Sequence, residues 1–159
     1  MAAYLYHLLP TSYNMAKART LPVQKHIALV AHDKKKEDLL DWAYHNKEIL
    51  KSHKIIATGS TGELVEKKLG IEVTKLLSGP LGGDQQIGSM IAERKLDFLV
   101  FFWDPLEAQP HDSDVKALQR LAVAWNVLIA PNRTTADFIL QSVLMRQPYE
   151  VTIPDYSKF

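Results

Sequence analysis

Short apolar runs alternate with longer amphipathic segments from residue 26 onward. Five runs have the length and the β-branched or aromatic content of buried strands: 26–31, 54–57, 73–77, 97–103 and 127–130. Apolar residues recur at helical spacing in the segments that follow them: 34–53, 61–69, 84–91, 115–125 and 135–143. This alternation predicts an α/β fold, with a parallel sheet covered by helices. The fourth run is apolar on both of its faces, which favours a central strand.

The two ends of the chain lie outside this pattern. We interpret residues 1–18 as a flexible N-terminal extension and residues 19–159 as a single domain. The extension has an apolar patch at 4–9, but it has no basic start and Pro10 interrupts it, so it is not typical of a secretory signal. A frayed extension, or translation that begins at Met15, explains it better. The tail 149–159 is expected to add an edge strand at most.

Composition narrows the classes of function. A chain of 159 residues, 47% of them apolar, suits one domain that folds without disulfides or structural zinc. The absence of cysteine excludes thiol chemistry and favours a cytoplasmic location. Nineteen basic residues against 18 acidic ones give no polycationic surface for nucleic acid, and no apolar run approaches the ~18 residues of a membrane span. We therefore expect a small-molecule ligand.

Polar residues follow four of the predicted strands at their carboxyl ends. In an open α/β sheet, ligands bind beyond this edge. We expect four groups of residues to meet there, which supply hydroxyls, glycines, one lysine, two histidines and several carboxylates. In the order of the strands they follow, the groups are His32, Asp33 and Lys36; Thr58, Gly59, Ser60, Thr61 and Gly62; Ser78, Gly79 and residues 82–86; and Asp104 with residues 111–114.

The segment 58–62 has the properties of an anion site. Two glycines let the backbone approach an anion, three hydroxyls donate, and a helix begins there with free N–H groups. The segment is neither a P-loop nor a three-glycine dinucleotide fingerprint. Taken alone, it reads more readily as a turn with Thr61 as the helix N-cap. The arrival of Ser78 and Gly79 from the neighbouring strand favours a phosphate cup, by which we mean Lys36, Thr58, Ser60, Thr61 and Ser78.

Four carboxylates and two histidines are expected beside this cup. Singly, Asp84 resembles a helix N-cap, His111 a solvated loop residue, and Asp33, Asp104 and Asp114 caps or turn residues. Together they are costly beside a phosphate unless they transfer protons. A carboxylate base, a histidine that hydrogen-bonds a carbonyl oxygen and a phosphate grip suit proton abstraction next to the carbonyl of a small phosphorylated ketone.

Other polar and aromatic residues are given structural interpretations. No metal site is expected, because His32 and Asp33 are adjacent and no paired ligand spacing occurs. His45 and His53 are interpreted as solvated residues of the first helix. The three tryptophans, Trp42, Trp103 and Trp125, have apolar neighbours and are assigned to the core or to an interface.

Several segments carry a family resemblance. They are Ala31-His32-Asp33 with Lys36, the run 57–62, the run Ser78-Gly-Pro-Leu-Gly-Gly-Asp-Gln-Gln86 continuing to Gly88, and residues 101–105 with 110–112. These segments resemble the bacterial methylglyoxal synthases, and the likeness extends from about residue 19 to 156. The nine-residue run 78–86 is its most specific part. Ser60 stands where the family commonly has threonine, which keeps the hydroxyl and puts only the affinity in question.

The resemblance implies a fold and a reaction. The fold is a three-layer α/β/α arrangement around a five-stranded parallel sheet in the order 3-2-1-4-5, assembled as a homohexamer. The reaction converts dihydroxyacetone phosphate to methylglyoxal and inorganic phosphate, by abstraction of a C3 proton and elimination of phosphate from the enediolate. No metal or organic cofactor is implied, and phosphate is expected to act as both product and inhibitor.

The resemblance also implies residue roles. Asp84 is the catalytic acid/base and His111 orients the substrate oxygens, while Asp104 and Asp114 complete the acidic neighbourhood with Asp33. The residues that hold the substrate and its phosphate are His32, Asp33, Lys36, Thr58, Gly59, Ser60, Thr61, Ser78 and Gly79. The alternative is a non-catalytic regulatory module of the kind found in carbamoyl phosphate synthetases, which needs only the phosphate cup. Asp84, His111 and Asp104 on a free-standing chain favour the enzyme.

Overall fold

The computed structural model describes residues 17–107 and 112–156. Its strands are β1 (Lys17–Leu21), β2 (His26–Ala31), β3 (Lys54–Thr58), β4 (Val73–Leu76), β5 (Phe98–Phe102), β6 (Leu128–Ala130) and β7 (Tyr149–Ile153). Its α-helices are α1 (Lys36–His45), α2 (Lys47–Leu50), α3 (Gly59–Leu69), α4 (Gly83–Ala92), α5 (Asp112–Ala124) and α6 (Arg133–Gln141). Short 3₁₀ turns occur at Asp33–Lys35, Gly79–Leu81 and Val143–Arg146.

Five parallel strands form the central sheet in the order β4-β3-β2-β5-β6. Counted from β2, this is the predicted order 3-2-1-4-5, so the predicted fold is confirmed. The central strand β2 pairs with β3 on one side and with β5 on the other, where Leu29 lies opposite Ala57 and Val100 respectively. The strand order reverses between β2 and β5, and sheets of this kind bind ligands beyond the carboxyl ends of their strands.

Alternating side chains of the strands form two apolar layers. Ile27 and Leu29 of β2 pack into one cluster with residues of α1, α3 and α6, among them the fully buried Trp42. Ala28 and Val30 pack into the other with residues of α4 and α5. All five residues of β5 are buried, as the sequence predicted for a strand covered on both faces. Trp103 and Trp125 pack, half-buried, against the second cluster.

The predicted first helix, 34–53, is wrong as a single element. It is a 3₁₀ turn followed by α1 and α2, which separate at Asn46. Asn46 departs from helical geometry there, with φ −102° and ψ 12°, and its side chain also donates to the carbonyl of Trp42 at 3.0 Å. Residue 53 lies beyond both helices. His45 is exposed as expected, but His53 is only 9% exposed, and its Nδ1 accepts the backbone N–H of Lys25 at 3.1 Å.

A two-stranded antiparallel ribbon lies apart from the main sheet. It joins β1 to β7, with Lys17 opposite Ile153 and Leu21 opposite Tyr149. The tail thus forms a strand, as expected, but it pairs with β1 instead of extending the edge of the parallel sheet. Within the described residues, no helix is long and apolar enough to cross a membrane.

Arg19 of β1 is attached to the main sheet through a buried carboxylate. Asp97, just before β5, forms an ion pair with Arg19 and accepts the backbone N–H of His26 at 2.7 Å. The Asp97 side chain is fully buried, whereas that of Arg19 is 18% exposed. This contact lies at the amino ends of β2 and β5, opposite the edge that carries the predicted site.

Candidate active site

A cavity of about 260 Å³ opens at the carboxyl ends of β2, β3 and β4. All nine residues that the sequence assigned to substrate binding line it, together with Asp84. The other lining residues are Val30, Ala31, Pro80 and Phe101. Sequence reasoning did not place Phe101 here because its strand is apolar throughout, and only the alternation of faces along β5 could have indicated it.

Two loops of the phosphate cup touch at Gly59. Its φ of 43° lies in the left-handed region, and a Cβ there would stand 2.8 Å from both the Cα and the Cβ of Ser78. The Gly59 N–H donates to the carbonyl of Leu77 at 3.2 Å. A side chain at position 59 would therefore separate the loops that follow β3 and β4.

The amino end of α3 lies in the cup. Thr58 is the N-cap residue, and Gly59, Ser60 and Thr61 form the first turn of this 11-residue helix. The predicted alternative, in which Thr61 itself is the N-cap, is wrong, because Thr61 is a buried residue inside the helix. The first N–H groups of a helix have no intrahelical acceptor, so this end attracts an anion.

Lys36 brings a positive charge to the same cup. It is the first residue of α1, and its Nζ donates to the Ser60 hydroxyl at 2.8 Å. The same Nζ lies 2.5 Å from a carboxylate oxygen of Asp33. Among the described residues that line the cavity, Lys36 is the only lysine or arginine.

Asp84 is buried in this cavity, with only 3% of its surface exposed. The N-cap interpretation is wrong, since α4 starts at Gly83 and Gly82 is its N-cap residue. The carboxylate lies against Gly79, where a Cβ would be 3.0 and 3.2 Å from its two oxygens. The absence of a side chain at Gly79 therefore leaves room for the carboxylate.

His32 is held in one tautomer by the main chain. Its Nδ1 accepts the backbone N–H of Asp104 at 3.2 Å, and its ring meets that of Phe101 edge-on at 5.4 Å between centroids. An acceptor nitrogen carries no proton, so the neutral ring bears its hydrogen on Nε2. His32 is thus a hydrogen-bond donor at the wall of the cavity.

Two further predicted catalytic residues that the structure describes, Asp104 and Asp114, are not among those that line the cavity. The carboxylate of Asp104 accepts the N–H of Leu106 at 3.0 Å, as in the turn interpretation. Asp114 is half-buried in α5. His111 lies outside the described residues. Within the described part of the chain, no three His, Cys, Asp or Glu residues form a group suited to a metal ion.

Comparisons with known proteins agree on one family. The model of the MGS-like domain family matches residues 38–130. The chain is 55% identical to a methylglyoxal synthase of Pectobacterium atrosepticum and 58% identical to one of Proteus mirabilis, each over 141 residues that make up 89% of this chain and 93% of the relative. A crystal structure of a methylglyoxal synthase from Elizabethkingia anophelis superposes with a TM-score of 0.84 at 58% identity, over 89% of this chain and 93% of that one.

Proposed function

This chain belongs to the methylglyoxal synthase family, and from that premise we propose that it is a lyase that converts dihydroxyacetone phosphate to methylglyoxal and inorganic phosphate. A base removes a proton from C3 and gives an enediolate. The enediolate expels phosphate as the bond between C1 and the phosphate oxygen breaks. The remaining three-carbon enol then takes up a proton and becomes methylglyoxal.

One observation carries this proposal above all others. A buried carboxylate, that of Asp84, and a phosphate cup line the same cavity of about 260 Å³. A three-carbon phosphate is small enough for such a cavity, and a substrate held by its phosphate would place its carbon chain within reach of a base on the wall. The regulatory module needs the cup but has no use for a buried carboxylate beside it.

In this mechanism the cup holds the group that leaves. The amino end of α3 and the ammonium group of Lys36 stabilise the negative charge that collects on the phosphate as the C–O bond breaks. Asp84 accepts the C3 proton. Neutral His32 donates from Nε2 to a substrate oxygen, on which charge develops in the enediolate, and the resemblance gives His111 the role of orienting those oxygens.

Asp104 and Asp114 act outside the lining of the cavity. The main chain of Asp104 sets the tautomer of His32 through its N–H, so this residue positions a donor. The role of Asp114 rests on the family resemblance alone.

We also propose that the chain assembles as a hexamer, as the resemblance implies. Among the described residues of a single chain, five large apolar side chains are more than 70% exposed: Leu81, Leu106, Val123, Phe138 and Val143. Contact with further copies would remove such side chains from water. Leu81 belongs to the loop of the cavity that contains Ser78 and Gly79, so an interface there would lie next to the site.

The direct test is turnover of dihydroxyacetone phosphate by the pure protein. Methylglyoxal and inorganic phosphate should appear in equal amounts, and dialysis against a chelator should leave the rate unchanged. Protein that binds phosphate without forming methylglyoxal would favour the regulatory module. Protein that does neither would contradict both readings.

A further inference from the structure

The positive charge of the cup already has a partner in the cavity itself. Asp33 and Lys36 both line the cavity, and a carboxylate oxygen of Asp33 lies 2.5 Å from the Lys36 Nζ. Lys36 is the residue whose positive charge would stabilise a phosphate group in the cup. The carboxylate of Asp33 therefore pairs with the cation that a phosphate group would contact.

The two side chains differ greatly in their exposure to solvent. The Lys36 side chain is 23% exposed and is fixed by its bond to the Ser60 hydroxyl, whereas that of Asp33 is 93% exposed. Asp33 opens the 3₁₀ turn before α1, three residues ahead of Lys36. A carboxylate that is 93% exposed is readily solvated when another anion takes its place at Lys36, so Asp33 is the partner that can be displaced.

We propose that Asp33 is a displaceable counterion, which competes with the phosphate group of the ligand for Lys36 and so sets how tightly the cavity holds any phosphorylated molecule. The sequence placed Asp33 among the residues that bind the substrate, but its contacts give it the opposite effect on affinity. The proposal rests on the proposed function only in taking a phosphate group as the ligand of the cup.

The exchange has a consequence for each half of the reaction. On binding, a phosphate dianion replaces a monoanionic carboxylate at Lys36, so part of the binding free energy is used to break an existing ion pair. On release, Asp33 returns to Lys36 as phosphate leaves, so the lysine does not lose its partner. Asp33 thereby weakens the hold on both substrate and product, and limits inhibition by phosphate.

The first test measures phosphate binding by titration calorimetry with wild-type protein and Asp33→Asn. The variant should bind inorganic phosphate about two- to fivefold more tightly, a modest change because an ion pair with so exposed a carboxylate is weak. A gain in affinity is informative, because a substitution that merely damaged the site would weaken phosphate binding. Unchanged or weaker binding would overturn the proposal.

The second test separates competition from simple repulsion between Asp33 and the phosphate. Lys36→Met removes the group for which Asp33 competes, so the gain from Asp33→Asn should disappear in the Lys36→Met background. Repulsion through space does not need the lysine. An equal gain in both backgrounds would therefore show that Asp33 acts by repulsion and that the proposal is wrong.

A matched control lies two residues further along the chain. Lys35 and Asp38 form a pair with the same three-residue spacing at 3.4 Å, and neither residue lines this cavity. Asp38→Asn should leave phosphate affinity unchanged, and a gain equal to that of Asp33→Asn would mean that overall charge is responsible. Wild-type protein that binds no phosphate at all would instead contradict the proposed function, and so the two failures can be told apart.

Discussion

Asp84 has both of its carboxylate oxygens against the main chain of Gly79, inside a cavity that also holds the phosphate cup. Asp84→Asn keeps the size and shape of the side chain but cannot accept the C3 proton. We expect kcat to fall at least ~100-fold while the affinity for phosphate stays nearly the same. Steady-state rates and phosphate calorimetry on one preparation test this. Activity within a few-fold of wild type would show that Asp84 is not the base.

His53 makes folding sensitive to acid. Burial lowers the pKa of its imidazole, and nearby Lys25 lowers it further. As the pH falls through about 6.5, the unfolded chain takes up this proton before the folded one does, so the free energy of unfolding decreases. His53→Gln keeps an acceptor for the Lys25 N–H but does not titrate. Urea denaturation at pH 7.5 and 5.5 should show a smaller loss for the variant. An equal loss of stability in the wild type and the variant would show that His53 does not cause the sensitivity to acid.

The residues of the cup were accessible to sequence reasoning because they follow strands directly. The end of a strand can be recognised from neighbouring residues alone. Parallel strands place their carboxyl ends at the same edge of the sheet, independently of how the helices pack. His53 and Asp97 were not accessible in this way. Their partners, Lys25 and Arg19, lie 28 and 78 residues away along the chain, and nothing in the local pattern of either residue distinguishes a buried polar group from a solvated one.

Among the elements, the parallel strands were predicted closely and the exceptions have identifiable causes. The strands consist of short apolar runs, which are visible directly in the sequence. The break between α1 and α2 falls at Asn46, whose backbone leaves helical geometry, while the helical spacing of apolar residues continues across it. The strand β1 forms only because β7 supplies its partner from the other end of the chain. The extension predicted for residues 1–18 stays a prediction, since residues 1–16 lie outside the described part.

The ion pair between Arg19 and Asp97 links β1 to the start of β5. Asp97→Asn leaves a largely buried guanidinium without its carboxylate, so we expect a loss of about 3–5 kcal/mol in the free energy of unfolding. The exposed pair of Arg133 and Asp41 provides the control, and Asp41→Asn should cost far less because solvent screens this pair. Denaturant titrations measure the free energy of unfolding of both variants. Equal losses would contradict the idea that burial makes the pair of Arg19 and Asp97 the more important one. Phosphate affinity should survive in both variants.

For the molecule as a whole, light scattering should give a mass of six copies of the 18.0 kDa chain. Sites joined in such an assembly can influence one another, so we expect added phosphate to make the dependence of rate on substrate sigmoidal. Independent sites would show plain competition instead. A monomeric mass would contradict the assembly while leaving the reaction in place.

The pairing of β1 with β7 makes the described chain almost a closed ring. Lys17 and Ile153 are direct partners in the ribbon, so a short linker can join the two ends of the described fold. New ends can then be opened at the turn after α3, where Gly70 is exposed and nothing lies within 4 Å of its Cβ position. Such a circularly permuted chain keeps every strand pair and the whole cavity. Its order of synthesis changes: β1 and β7 emerge next to each other, and strand contacts that now span 128 to 136 residues become local.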